Sequence, residues 1–136
     1  MVQICKGSND GQAFKRYRGR GKSCFVNDEW VDIPTAIDTI HAAGGVAVIA
    51  HPMRYNMTGK WIRRLSGDFK QWGGDGMEVA DSGQTKDQRQ YLARLANEYD
   101  LAASLGSDFH FPCGWIELGK NLFLPEEVKP IWTLFE

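Results

Sequence analysis

The stretch that decides the fold is Leu101-Ala102-Ala103-Ser104-Leu105-Gly106-Ser107-Asp108-Phe109-His110. Five mostly apolar residues form a short run that a glycine closes, the pattern of a buried strand that ends in a loop. Asp108 and His110 follow the end of that run. On an extended segment, side chains two residues apart point the same way, so both are expected to face one metal, or two neighbouring metals. A second apolar run, Val46-Ala47-Val48-Ile49-Ala50, ends on His51-Pro52. Parallel α/β folds collect functional groups at the carboxyl ends of their strands, and both motifs fall there.

Working outward, strands and helices alternate. Asp32-Ile33-Pro34 opens a helix that Asp32 or Thr35 caps, with Ala36, Ile37, Ile40 and Ala43 on one face and Gly44-Gly45 as its stop. Thr58 to Phe69 is expected to be helical, with Trp61, Ile62, Leu65 and Phe69 turned inward. Gly76 to Ala80 is a second strand. Thr85 to Tyr99 is a third helix, striped by Tyr91, Leu92, Leu95, Ala96 and Tyr99. Pro125 is expected to start a last helix through Ile131, Trp132 and Phe135, disturbed by Pro130. Gln12 to Tyr17 suggests a helix end, and Ser23 to Val26 an extended piece. Strand, helix, strand, helix, strand implies a parallel sheet with right-handed crossovers. Three or four such units do not close an eight-fold barrel, which needs roughly 250 residues. Met1-Val2-Gln3-Ile4-Cys5 resembles mid-helix sequence without a cap. The expectation is one partial domain over residues 1–136, the C-terminal portion of a larger barrel.

Composition narrows the class. The chain has 136 residues, 43% of them hydrophobic, with a net charge of −1. No apolar run reaches the roughly 18–20 residues of a membrane span, so a membrane partner is not expected. The opening residues lack the apolar stretch of a secretory signal. Three widely spaced cysteines without a CxxC pair suit a reducing cytoplasm better than a disulfide framework or a zinc knot. Charge is uneven. Residues 1–70 hold 11 basic and 6 acidic groups, and residues 71–136 hold 5 and 11. Lys15, Arg16, Arg18, Arg20 and Lys22 run without an acid between them, either a phosphate-binding loop or a solvated one.

For the remaining candidates, chemistry sets the role. His51 offers a neutral imidazole to a divalent metal, and Pro52 is expected to hold the strand end extended. A strand-end histidine in an ordinary hydrogen bond is the alternative. Asp108 either ligates or caps a turn. Glu78, in the middle strand, is a ligand, a partner that orients a metal-bound histidine, or one half of an ion pair. Arg54 and Tyr55 follow His51-Pro52 at the same strand end, where an arginine fork suits a phosphate. Lys22 reaches the same place if the basic loop folds over it. His41 is expected on the exposed side of its helix.

Ala47-Val48-Ile49-Ala50-His51-Pro52-Met53-Arg54-Tyr55, Gly76-Met77-Glu78-Val79 and Gly106-Ser107-Asp108-Phe109-His110 together resemble the polymerase and histidinol phosphatase (PHP) family. The nearer match is its bacterial subgroup of nucleotide phosphoesterases, which includes 3′,5′-nucleoside bisphosphate phosphatases and 5′→3′ exoribonucleases. The likeness runs through Phe14-Lys15-Arg16-Tyr17, Arg20-Gly21-Lys22 and Trp115-Ile116-Glu117-Leu118-Gly119. It implies an α/β fold, part of a distorted (β/α)7 barrel. It also implies two or three divalent ions, manganese first and iron or zinc as alternatives, that activate a hydroxide for attack on phosphorus. His51, Asp108 and His110 match metal-ligand positions, with Asp108 and His110 catalytic; Arg54, Tyr55 and Lys22 are candidates for substrate contact. Met53 stands where the subgroup often has glycine. The family's N-terminal His-x-His motif has no counterpart, since no histidine precedes His41. The implied enzyme therefore needs a missing N-terminal half, and this chain alone is expected to be nearly inactive. Nucleotide or short RNA is the implied substrate, and self-association through unpaired strand edges is expected. A non-catalytic RNA- or protein-binding module built on the basic loop, or a phosphatase for non-nucleotide phosphates, remains as an alternative.

Overall fold

In the computed structural model the described residues are 16–17, 21–22, 30–110, 112 and 117–135. The chain forms two compact units, Met1–Val31 and Asp32–Glu136. In the first, the Arg16 guanidinium lies 5.5 Å from the Tyr17 ring centroid, and Lys22 is exposed. Most of the expected helix at Gln12–Tyr17 and the whole of the Ser23–Val26 segment lie outside the described residues. So do Lys15, Arg18 and Arg20 of the basic stretch, and all three cysteines.

The second unit has helix α1 (Ile33–Ala42), strand β1 (Val48–Ile49), helix α2 (Gly59–Gln71), strand β2 (Gly76–Asp81), helix α3 (Lys86–Glu98) and strand β3 (Ala102–Gly106), with a closing 3₁₀ turn at Ile131–Leu134. The three strands form one parallel sheet in the order β1-β2-β3. The fold is thus parallel α/β, as expected from the alternation of apolar runs and amphipathic helices. β2 is central and buried along its whole length. That explains why it is a continuous apolar run broken only by Glu78 and the terminal Asp81. Met77, Val79, Leu92, Leu95, Ala96 and Ala103 are fully buried and join α3 to β2 and β3.

Local chemistry sets the helix ends. The Asp32 carboxylate accepts from the Thr35 amide at 2.9 Å and starts α1, with proline in the first turn. Thr85 and Gln88 form a capping box on α3: the Thr85 hydroxyl accepts from the Gln88 amide at 3.2 Å, and the Gln88 side chain accepts from the Thr85 amide at 3.0 Å. Thr85→Ala leaves both ends of that exchange weakened. Its unfolding free energy in a urea titration is expected to fall by about 1 kcal/mol. An unchanged midpoint would show that the box contributes nothing.

Three expectations are corrected. Trp61 does not face the core; it is 55% exposed at the start of α2, and Ile62, Ser66 and Phe69 are the residues that α2 buries. On α1 only Ile37 is buried, whereas Ile40 is 38% exposed. The last helix does not form from Pro125. Residues 126–128 turn, Pro130 pairs with Ala103 as a bridge parallel to β3, and the Lys129 carbonyl accepts from the Ala103 amide at 2.7 Å. Pro130 has no amide hydrogen and crowds the carbonyl four residues back, so the chain runs beside the sheet edge and coils only afterwards.

Candidate active site at the carboxyl ends of the strands

The strand ends bring His51, Arg54, Glu78, Asp81 and Asp108 together. Period-two alternation would send Glu78 and Asp81, three residues apart, to opposite faces of the sheet. The register between β2 and β3 shifts between Glu78 and Ala80: Glu78 pairs with Ser104 and Ala80 with Leu105. The extra residue resets the alternation. Both carboxylates consequently meet the turn after β1: Glu78 accepts from the His51 amide, and Asp81 Oδ2 lies 2.7 Å from the Arg54 guanidinium. Gly106 makes room for this. A Cβ there would sit 2.5 Å from Glu78 Oε1, so only glycine lets that carboxylate lie against β3.

His51 is not extended, as the sequence suggested, but left-handed, with φ 34° and ψ 54°. That conformation turns the chain at once into the 3₁₀ turn Pro52–Arg54 and swings Arg54 back over the strand ends. Its ring meets Tyr55 edge-on, centroids 5.7 Å apart, and its Nδ1 is buried with no hydrogen-bond partner among the described residues. Asp108 also has positive φ, 51°, so Asp108 to His110 is not an extended segment and the two side chains do not run in parallel. Asp108 turns onto Arg54, which it pairs through Oδ2. His110 Nδ1 lies 2.7 Å from the Asp108 carbonyl, and its side chain is 71% exposed. Arg54 thus holds two carboxylates of different depth, Asp81 nearly buried and Asp108 a quarter exposed.

Burial, with the nearby Asp81 and Asp108 charges adding to it, pushes the Glu78 carboxyl above its ordinary range, and the His51 amide only partly offsets this. Burial, then Glu78, raises the Tyr55 phenol likewise, so Tyr55 stays a donor near neutral pH. The linkage sign for Glu78 follows. The folded state holds its proton to higher pH than the unfolded chain does. Stability falls as pH rises from the ordinary glutamate range through the raised value. Glu78→Gln is expected to flatten that part of the stability–pH curve in chelator-treated protein. An unaltered slope in paired denaturation curves would contradict it.

For the divalent ions implied by the sequence, the donors fit in kind but not in number. His51 Nδ1 is an imidazole nitrogen waiting for a partner, and Asp108 is a half-buried carboxylate. Among the described residues, no three His, Cys, Asp or Glu side chains gather closely enough to hold an ion. Sequence reasoning did not single out Asp81. Its signal was an acid at the end of an apolar strand, the position that drew attention to Asp108. His41, expected on the exposed side of its helix, pairs with Asp75 at 2.7 Å beside the Ala47 amide, at the amino ends of β1 and β2 and so at the opposite end of the strands from these residues. Lys22 belongs to the first unit. No helix among the described residues is long and apolar enough to cross a membrane.

No family model matches the chain. It is 74% identical over 135 residues to a 5′-3′ exoribonuclease of Haemophilus influenzae, covering 99% of this chain and 49% of that protein. It is 41% identical over 124 residues to a 3′,5′-nucleoside bisphosphate phosphatase of Chromobacterium violaceum, covering 90% and 44%. Among solved structures it resembles an amidohydrolase from Chromobacterium violaceum at 37% identity and TM-score 0.75, covering 98% of this chain and 46% of that one. It also resembles a metal-dependent phosphoesterase from Bifidobacterium adolescentis at 25% identity and TM-score 0.59, covering 98% and 45%. The chain spans about half the length of the curated relatives it matches. It is a homologue, over that half, of bacterial hydrolases named as 5′-3′ exoribonuclease and 3′,5′-nucleoside bisphosphate phosphatase, as the motifs at His51, Glu78 and Asp108 implied.

Proposed function

We propose that this chain supplies the C-terminal half of a metal-dependent phosphoesterase that hydrolyses nucleotide phosphate esters, either 3′,5′-bisphosphates or RNA 5′ ends. The observation that carries the proposal is the Arg54 clamp: one guanidinium, 41% exposed, held by Asp81 and Asp108 at the carboxyl ends of two parallel strands. The names of the relatives favour nucleotide over other phosphates. His51, Asp108 and His110 are the side chains that would ligate divalent ions, manganese first. When bound, such ions neutralise phosphoryl charge and bring the pKa of water near neutrality. The chain's own residues do the rest. Arg54 has each terminal nitrogen paired with a carboxylate, Asp108 and Asp81, which fix the plane of its guanidinium, and it offers the second N–H of each nitrogen to phosphoryl oxygens. Tyr55, kept protonated, donates to the same phosphate. Glu78 holds the His51 backbone in its left-handed turn and so fixes the imidazole. The outer edge of β1 carries no strand among the described residues, which suits pairing with the other half or with a second copy.

The test is a substrate panel on the complete protein with Mn²⁺: 3′-phosphoadenosine 5′-phosphate, 5′-phosphorylated short RNA, and a sugar phosphate. Phosphate or mononucleotide release from the first two at enzymatic rates is expected, and little from the third. Preference for the sugar phosphate would replace nucleotide chemistry with the alternative class. Turnover by this 136-residue chain alone, at the rate of the complete protein, would overturn its role as a half.

A further inference from the structure

A cavity of about 660 Å³ lies beside the start of α3 and the segment Asn121–Glu127. Arg89 lines it and is 4% exposed. Buried cations in proteins are ordinarily paired with an acid or a bound anion, because an unpaired charge away from water is costly. Arg89 has no carboxylate within ion-pair distance among the described residues. Its Nη2 donates only to two carbonyls, Asn121 O at 3.1 Å and Asp81 O at 3.4 Å, and its Nε is buried with no partner. The Phe123 ring covers one face of the guanidinium at 3.9 Å. A second unpartnered buried donor, Gln84 Nε2, lines the same cavity. Its orientation is settled by Gln84 Oε1, which accepts from the Asp81 amide at 3.0 Å. Lys86, exposed at the start of α3, adds a cation with no ion-pair partner among the described residues. Glu126 and Glu127 line the cavity too, but neither pairs with Arg89 or Lys86, and Glu127 takes the Gln90 amide instead.

We propose that this cavity is an anion subsite for a phosphate group, with Arg89 as its buried counter-ion, Gln84 as a neutral donor and Lys86 as an outer cation. Two unsatisfied donors, one of them on a buried guanidinium without an ion pair among the described residues, call for acceptor oxygens carrying charge. A tetrahedral phosphate supplies both, and charge-assisted bonds from arginine are the strong kind. The Asp81 backbone ties the subsite to the Arg54 clamp, since the Asp81 carbonyl faces Arg89 while its carboxylate faces Arg54. A substrate with two phosphates, or the second phosphate of an RNA end, would use both. That last step rests on the proposed function; the subsite itself does not.

The test is an NMR titration of the ¹⁵N-labelled 136-residue chain with inorganic phosphate, then with 5′-AMP and a 5′-phosphorylated dinucleotide, all without metal. The Arg89 Nε–H signal and the amides of Gln84 and Lys86 are expected to move on one isotherm. Lys86→Ala, at an exposed position that leaves the fold intact, is expected to weaken Kd roughly tenfold. Arg54→Met is expected to leave that isotherm in place. Tighter binding of the dinucleotide than of phosphate means the group arrives on a nucleotide, and equal binding means free phosphate suffices; both support the subsite. No response at Arg89, or a response that disappears in Arg54→Met, would overturn it. Loss of ester hydrolysis in Asp108→Asn with the Arg89 response intact would separate this subsite from the fate of the catalytic reading.

Discussion

Asp108→Asn in the complete protein is expected to lower phosphoester hydrolysis about 10³-fold while leaving the fold unchanged. The reason begins with the backbone. Asp108 sits at φ 51°, in the left-handed region that asparagine tolerates as readily as aspartate. The substitution is nearly isosteric, so the turn after β3 keeps its shape. The loss is one negative charge. The Arg54 guanidinium then has Asp81 alone, and a hard divalent cation would face an amide oxygen in place of a carboxylate. Loss of several kcal/mol of transition-state charge stabilisation corresponds to roughly three orders of magnitude in rate. Steady-state phosphate release and metal content by mass spectrometry are the measurements, with circular dichroism as the check on fold. A loss under about tenfold, with metal content unchanged, would remove Asp108 from the reaction and leave it as a partner for Arg54.

The fold was legible where one signal governs local structure. Short apolar runs gave the three strands to within a residue or two, because a parallel strand covered on both faces must be apolar throughout. Asp32 and Thr85 marked helix starts, because capping is a side-chain property. What the sequence did not give were effects carried by the third dimension. The stripe on α2 assigned Trp61 inward, yet which flank of a stripe is covered depends on what packs there, and the core takes Ile62 and Phe69 instead. Pro130 was recognised as a disturbance, but the strand-like bridge to Ala103 needed the sheet edge to exist first. The site followed the same division. His51, Arg54 and Asp108 were visible as polar residues just past strand ends. The irregularity that turns Glu78 and Asp81 to one side was not, because nothing in Gly76-Met77-Glu78-Val79-Ala80-Asp81 announces a register shift. Nor did His51-Pro52 announce a left-handed histidine. That conformation is fixed by the Glu78 carboxylate on its amide, a contact 27 residues away in sequence.

Arg54→Met is expected to move two quantities in opposite directions. In the complete protein, KM for a nucleotide substrate should rise and kcat/KM fall about 10²-fold. Two charge-assisted hydrogen bonds to phosphate, at roughly 1.5–3 kcal/mol for the first and less for the second, amount to that ratio. Metal affinity, measured by calorimetry without substrate, should rise. In this structure the guanidinium occupies Asp108 Oδ2, one oxygen of the carboxylate proposed as a ligand, so a tethered cation competes with a free one. Asp81 makes the experiment feasible. Its side chain is 4% exposed, but Oδ1 also accepts from the Gly83 amide at 2.8 Å, so removing Arg54 does not leave that charge without a donor. Arg54→Lys separates charge from geometry. It keeps one cation near the carboxylates and loses the fork, and its KM should fall between those of the parent and Arg54→Met. Unchanged KM in both variants would take Arg54 out of substrate binding. A fall in metal affinity in Arg54→Met would mean that the clamp builds the site rather than competing for it, and Asp108 would then depend on Arg54 for its position.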